Sequence, residues 1–224
     1  MKNKVIIAAI FLTGLKCPAI ALAEDKSQLQ FNLPGFPNNG TIPVEYALCI
    51  ADPINHTKPG KNINPEMDWS QLPKGTQSLA IMIFDSDSPV LGKDQKGDNI
   101  PENAPRKNFY HFVLVDIPTS LNKIEQGQDS NTDSDQNKQP GPKPYGVRGL
   151  NDFQHGGYDG PCPPWNDLKV HQYHFHLYAL DVKSLNLPSN FTGETALAAI
   201  KGHVLGESEW IGLYTISPAN IANY

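Results

Sequence analysis

Two runs of this chain are apolar at nearly every position, Ser78–Phe84 (SLAIMIF) and Phe109–Ile117 (FYHFVLVDI). Both are rich in β-branched and aromatic residues, and both are too short for a typical buried helix, so they predict strands covered on both faces. A third run, Val170–Val182, alternates. His171, Tyr173, Phe175, Leu177 and Ala179 share one face, and Gln172, His174, His176 and Tyr178 share the other. Trp210–Ile216 is a further strand, and Leu29–Phe31 and Ile42–Ile50 carry weaker strand signals. Only one helix stands out. Thr192 or Thr195 caps it, Glu194 suits its first turn, Thr195–Lys201 has good helix propensity and Gly202 ends it. Many strands and one late helix predict a mostly β chain built as an antiparallel β-sandwich.

The N-terminus has a different character. Lys2 and Lys4 precede an apolar run from Val5 to Leu15, and Ala21-Leu22-Ala23 supplies a small-residue cleavage site. This is the pattern of a secretory signal peptide over residues 1–23, with a core too short to span a bilayer. The expected mature chain, 24–224, is a single domain that is exported, periplasmic or secreted, with no stable membrane insertion. Loss of Lys2, Lys4 and Lys16 leaves 15 basic against 23 acidic residues, a net charge of −8. Such a balance argues against nucleic acid as a partner. Cys49 and Cys162 remain. They either pair across a long loop in an oxidising compartment or stay as buried thiols, and pairing is the favoured reading.

Two segments look inserted. Val90–Lys107 is polar, and Asn122–Pro144 is poor in apolar residues and rich in Gln, Asn, Asp and Ser. The second is expected to be a mobile surface loop.

Three constellations carry chemistry. Asp85-Ser86-Asp87-Ser88-Pro89 ends the first buried strand, where paired acids bind a cation, exchange protons or brace a turn. His111 lies inside an apolar strand. Gly157-Tyr158-Asp159-Gly160-Pro161-Cys162-Pro163-Pro164 is a stiff loop of preset shape, followed by His171 and Tyr173 on one strand face. His174 and His176 share the opposite face, a spacing seen in β metal sites, but packed or solvated imidazoles are the simpler reading and no metal or cofactor is assigned.

Taken in order, these motifs resemble the phosphatidylethanolamine-binding protein family, in particular its bacterial Raf-kinase-inhibitor-like branch. The resemblance extends over nearly the whole mature chain, including Asn64-Pro65-Glu66-Met67-Asp68-Trp69 and Gly202-His203-Val204-Leu205-Gly206-Glu207. It departs at Ser86, where the family usually has proline. It implies a sandwich with a large central antiparallel sheet, a smaller sheet and a short helix toward the C-terminus. It also implies a small cavity for phosphate, phosphoryl head groups or similar anions, walled by Asp85, Asp87, Pro89, His111, Gly160, Pro163, Pro164, His171 and Tyr173.

The expected function is therefore a non-catalytic exported binding protein for a small anion or phosphorylated head group, and an inhibitor or regulator if it has a protein partner. The alternative is a hydrolase of small phosphate or acyl esters using the same His and Asp residues. No serine sits in a nucleophile elbow, which favours the first.

Overall fold

The computed structural model describes residues 29–90, 97–130 and 138–221. The long strands are β6 (Ser78–Pro89), β7 (Arg106–Pro118), β11 (His171–Leu180) and β12 (Val204–Tyr214). The short ones are β1 (Gln30–Asn32), β2 (Gly40–Thr41), β3 (Cys49–Asp52), β4 (His56–Pro59), β5 (Met67–Ser70), β8 (Lys123–Ile124), β9 (Gly141–Lys143) and β10 (Gly146–Arg148). Helix α1 spans Gly193–Ile200 and α2 spans Pro218–Ile221. A seven-stranded sheet runs β2-β12-β11-β6-β7-β10-β9, a three-stranded sheet runs β1-β5-β8, and β3 pairs with β4. The family-type sandwich, with a large sheet and smaller ones, is what the chain forms.

The double-sided apolar runs now have a cause. Leu79, Ile81 and Ile83 of β6, Phe112 and Leu114 of β7, and Phe175 and Leu177 of β11 face the small sheet, where Phe31, Trp69 and Ile124 close the main core. Ala80, Met82, Val113, Val115 and Tyr178 face the other way, onto Phe191, Ala196 and Ile200 around α1. Only elements buried on both sides need such runs. β11 differs because α1 covers only part of the second face; His174 and His176 are left half-buried there.

Several boundaries differ from the sequence expectation. β12 begins at Val204 rather than Trp210, because Val204–Glu209 pairs with β11 while its outer face stays polar and open. Ile42–Ile50 is not one strand. It holds a 3₁₀ turn at Val44–Tyr46, and only Cys49 onward joins β3. The helix starts at Gly193, with the Thr192 hydroxyl accepting the Thr195 N–H, and Gly202 takes φ +95° just beyond it.

The 122–144 segment is not a surface loop throughout. Asp129 and Lys138 are buried, β8 and β9 join sheets, and residues 131–137 lie outside the described residues. Buried ion pairs account for the difference, since composition shows polarity but not partners. The Arg148 Nε–H donates to Asp129 Oδ2 at 3.0 Å, Tyr145 Oη–H donates to the same oxygen, and the Tyr158 N–H donates to Oδ1. Burial pushes the Asp129 carboxyl up, so its charge depends on those donors. We expect Arg148→Ala to lower stability by about 3–5 kcal/mol, the cost of a buried charge left without its partner. Denaturant titration would show this, and a loss under about 1 kcal/mol would mean that the pair contributes no more than a surface ion pair.

Candidate anion pocket

A register irregularity in β6 builds the first wall. Asp85 lies opposite Phe109 and Ser88 opposite Lys107, so the β6 side carries one extra residue between these pairs. Such a bulge re-aims side chains beside a site. Asp85 Oδ1 accepts the Asp87 N–H at 2.7 Å, the local turn chemistry open to this sequence. Asp85 Oδ2 faces His171 Nδ1 at 2.7 Å. The acids thus brace the turn and hold the imidazole at once.

His171 is fully buried between two carboxylates, with Nε2 3.0 Å from Asp167 Oδ2. Burial alone would lower its pKa. Hydrogen bonds and charge from Asp167 and Asp85 outweigh burial and raise it to about 9, so the ring is an imidazolium at neutral pH. Asp167 is held at about 2: burial opposes its charge, but His171, Arg106 and the Lys169 N–H all donate to it. Arg106 grips Asp167 at both oxygens, at 2.5 and 3.0 Å, and also donates to the Asp87 carbonyl. Lys169 Nζ sits 2.7 Å from Asp87 Oδ1. Three carboxylates and three cations therefore interlock here. Both His171 nitrogens are occupied, which leaves that ring no N–H for a ligand.

The second wall is aromatic. His111 on β7 packs edge-on against Tyr173 on β11, with ring centroids 5.2 Å apart, and Phe109 and Phe153 complete the cluster. His111 Nδ1 is 2.8 Å from the Asp159 carbonyl. A carbonyl only accepts, so the proton is on Nδ1. Burial lowers the His111 pKa despite the charges of Asp85 and Asp159, so the ring is neutral and Nε2 carries a lone pair. Tyr173 is fully buried and its hydroxyl has no hydrogen-bond partner among the described residues. Burial, then the charge of Asp85, pushes its phenol well above the usual range, so it stays a donor. The Cys162 N–H lies close enough to this oxygen to oppose that rise.

The stiff loop forms the third wall. A Cβ at Gly160 would collide with the Tyr46 carbonyl, so only glycine lets the loop lie this close. Cys162 is disulfide-bonded to Cys49, 113 residues away, and Cys49 donates its N–H to the Pro161 carbonyl. In a chain-entropy description, closing a loop of that length stabilises the fold by about 4–5 kcal/mol. The Gly160 N–H goes to Asn62 Oδ1, so it is already used. Pro163 is buried and Pro164 half-buried beside it, and Pro89 is buried at the end of β6. The 97–107 stretch docks on this loop, with the Ile100 N–H donating to the Asn166 carbonyl and the Leu168 N–H to the Ile100 carbonyl.

The structure thus brings Asp85, His111, His171 and Tyr173 together through direct contacts, with Asp87 and Pro89 farther along β6 and Gly160, Pro163 and Pro164 on the adjoining loop. Sequence reasoning missed Arg106, Asp167 and Lys169. Each sits in a polar stretch with no motif of its own, and only the docking of the two loops shows what they do.

The sequence model of the family described as "Phosphatidylethanolamine-binding protein" matches residues 32–215. The chain belongs to this family. A UPF0098 protein of Methanothermobacter thermautotrophicus is 36% identical over 163 residues, covering 72% of this chain and 89% of the relative. The UPF0098 protein YbcL of Escherichia coli is 28% identical over 70% of this chain and 74% of its own. The crystal structure of YbcL, described as a new member of the mammalian PEBP family, superposes with a TM-score of 0.64 at 22% identity, covering 84% of this chain and 98% of that one. A homologue from Chlamydia trachomatis superposes at 0.60 with 24% identity, covering 84% and 97%. These two structures support the fold.

Within this phosphatidylethanolamine-binding protein fold, the His171 interaction has a definite pH sign. Its folded pKa is raised above the unfolded value of 6.5, so its stabilisation is complete below pH 6.5 and lost as pH rises through about 9. The depressed Asp167 value reports the same ion pair and is not added. We expect unfolding free energy to fall by about 3 kcal/mol between pH 6.5 and 9.5. Denaturant titrations across that range test it, and a flat profile would show that His171 is neutral when folded.

Proposed function

We propose that this chain is an exported, non-catalytic binding protein whose pocket takes a small phosphoryl anion, either free phosphate or a phosphorylated head group. The observation that carries this reading is the fully buried Tyr173 hydroxyl, which has no hydrogen-bond partner among the described residues, its ring packed edge-on against His111, whose Nδ1–H is already given to the Asp159 carbonyl. A buried polar group left unpaired is costly unless a ligand or water completes it.

The tautomer sets the ligand's protonation. Tyr173 donates O–H to a phosphoryl oxygen. His111 Nε2, as a lone pair, accepts from a P–OH group; a fully ionised phosphoryl group requires the ring to take up a proton. Either way the complex holds one proton more than the free ring and a dianion. The interlocked acids and cations around His171 contribute near-neutral walls. This keeps the pocket from repelling the anion but gives it no large positive field.

Family membership supports a binding role, and the leader-like N-terminus supports export. Among the described residues no helix is long and apolar enough to cross a membrane. Hydrolysis by the same residues is less favoured: His111 bonds a carbonyl and His171 bonds two carboxylates, and among the described residues neither ring activates a Ser, Thr or Cys side chain. Turnover of a bound phosphoester would overturn the non-catalytic reading.

Tyr173→Phe is a cleaner test than His171→Ala, which strands two buried carboxylates and endangers the fold. We expect Tyr173→Phe to keep or slightly raise stability while weakening phosphate and phosphorylethanolamine binding by roughly tenfold, one hydrogen bond's worth. Calorimetric titration reads both, and unchanged affinity for both ligands would remove the hydroxyl from the site. Affinity for phosphorylethanolamine should also fall by up to about tenfold per pH unit above the phosphoryl second pKa of about 6. Measurements between pH 6 and 8 keep His171 charged, and an affinity independent of pH there would contradict the one-proton complex.

A further inference from the structure

The opposite face of β11 carries a second cluster that the pocket does not use. His174 and His176 project from it at i, i+2. Glu209 on β12 lies directly opposite His176, so all three side chains share one sheet face. Glu209 Oε1 is 2.7 Å from His174 Nδ1 and 2.8 Å from His176 Nε2. One ligand atom from each residue falls within a 4.8 Å span. Atoms bound to one tetrahedral zinc stand about 3.4 Å apart, given bonds of about 2.0–2.1 Å, so small outward shifts suffice to admit an ion.

We propose that His174, His176 and Glu209 form a binding site for a divalent transition-metal cation of the zinc–copper class. Two imidazoles and one carboxylate suit these ions and not calcium or magnesium, which take oxygen ligands. The remaining coordination positions face the open side of the sheet.

Four features of the surroundings favour such a site. Phe84 stacks on both, at 5.1 and 5.4 Å with interplanar angles of 11° and 12°, and Tyr178 stacks on His176. These contacts limit ring rotation before any metal arrives. Ser86 Oγ lies 3.0 Å from His174 Nε2, placed to accept that N–H when Nδ1 turns its lone pair to the metal. Glu207, opposite Tyr178, adds negative charge on the same face. His176 Nδ1 has no hydrogen-bond partner among the described residues, so coordination through Nε2 breaks no hydrogen bond at Nδ1.

Sequence alone left these histidines as packed or solvated, because it shows two ligands and not the third. Glu209 is 33 residues from His176 and enters only through the β11–β12 register.

The test uses the untagged, chelator-stripped chain. Calorimetry with Zn²⁺ should show one equivalent bound at micromolar affinity or tighter. Cu²⁺ electron paramagnetic resonance should show coupling to imidazole nitrogen. His176→Ala and Glu209→Gln should weaken Zn²⁺ binding by at least about tenfold, and Ser86→Ala by about tenfold through the loosened His174 ring. His203→Ala, at the exposed His203–Asp181 pair, serves as the control and should leave binding unchanged. Thermal melts confirm that each variant is folded. Wild-type affinity no better than millimolar, or equal affinity in wild type, His176→Ala and Glu209→Gln, would overturn the proposal.

Discussion

Buried carboxylates govern this structure. Asp85, Asp87, Asp129, Asp159 and Asp167 all lie inside it, and none tolerates that position without cations or donors drawn from elsewhere in the chain. Asp129 takes Arg148 and Tyr145; Asp159 takes Lys138, His155 and Asn151. Asp167 takes Arg106 and His171, and His171 in turn holds Asp85. These partners come from β7, β10, β11 and the polar segments that connect the strands. The apolar core sets which strands stack. The carboxylates set how the loops lie over one end of the stack, because an unpaired buried charge costs far more than a displaced apolar contact.

That arrangement explains the character of the pocket. A site walled by acids looks unsuited to an anion, yet each acid is already spent on a cation. What remains facing the centre is neutral: a phenol O–H, an imidazole lone pair and aromatic edges. In the proposed reading, recognition there rests on hydrogen-bond complementarity and on one proton, not on a field of positive charge. The disulfide between Cys49 and Cys162 and the tight approach at Gly160 hold the stiff loop against the 3₁₀ turn. That loop is thus held in a preset shape.

Much of this was legible in the sequence. Residues apolar on both faces marked β6 and β7 as central strands, and the alternation in Val170–Val182 matched the observed faces of β11. The ordered motifs pointed to the family, whose sequence model matches residues 32–215. Other parts were not legible. Polar composition made Asn122–Pro144 look like free loop, yet Asp129 and Lys138 are buried by partners far along the chain. Ile42–Ile50 read as strand because its apolar residues pack inward from a turn. His171 looked like a ligand donor because sequence shows a histidine and not the two carboxylates that occupy it.

The division follows from range. Periodicity, turn residues and caps act within a few positions, so the sequence by itself determined which segments become strands, where the helix is capped and that the fold is a covered sheet. Ring tautomers, ion-pair partners and the convergence of His174, His176 and Glu209 depend on distances between segments tens of residues apart. Only the tertiary structure decided those, because strand register and loop docking bring charges together that no local pattern links.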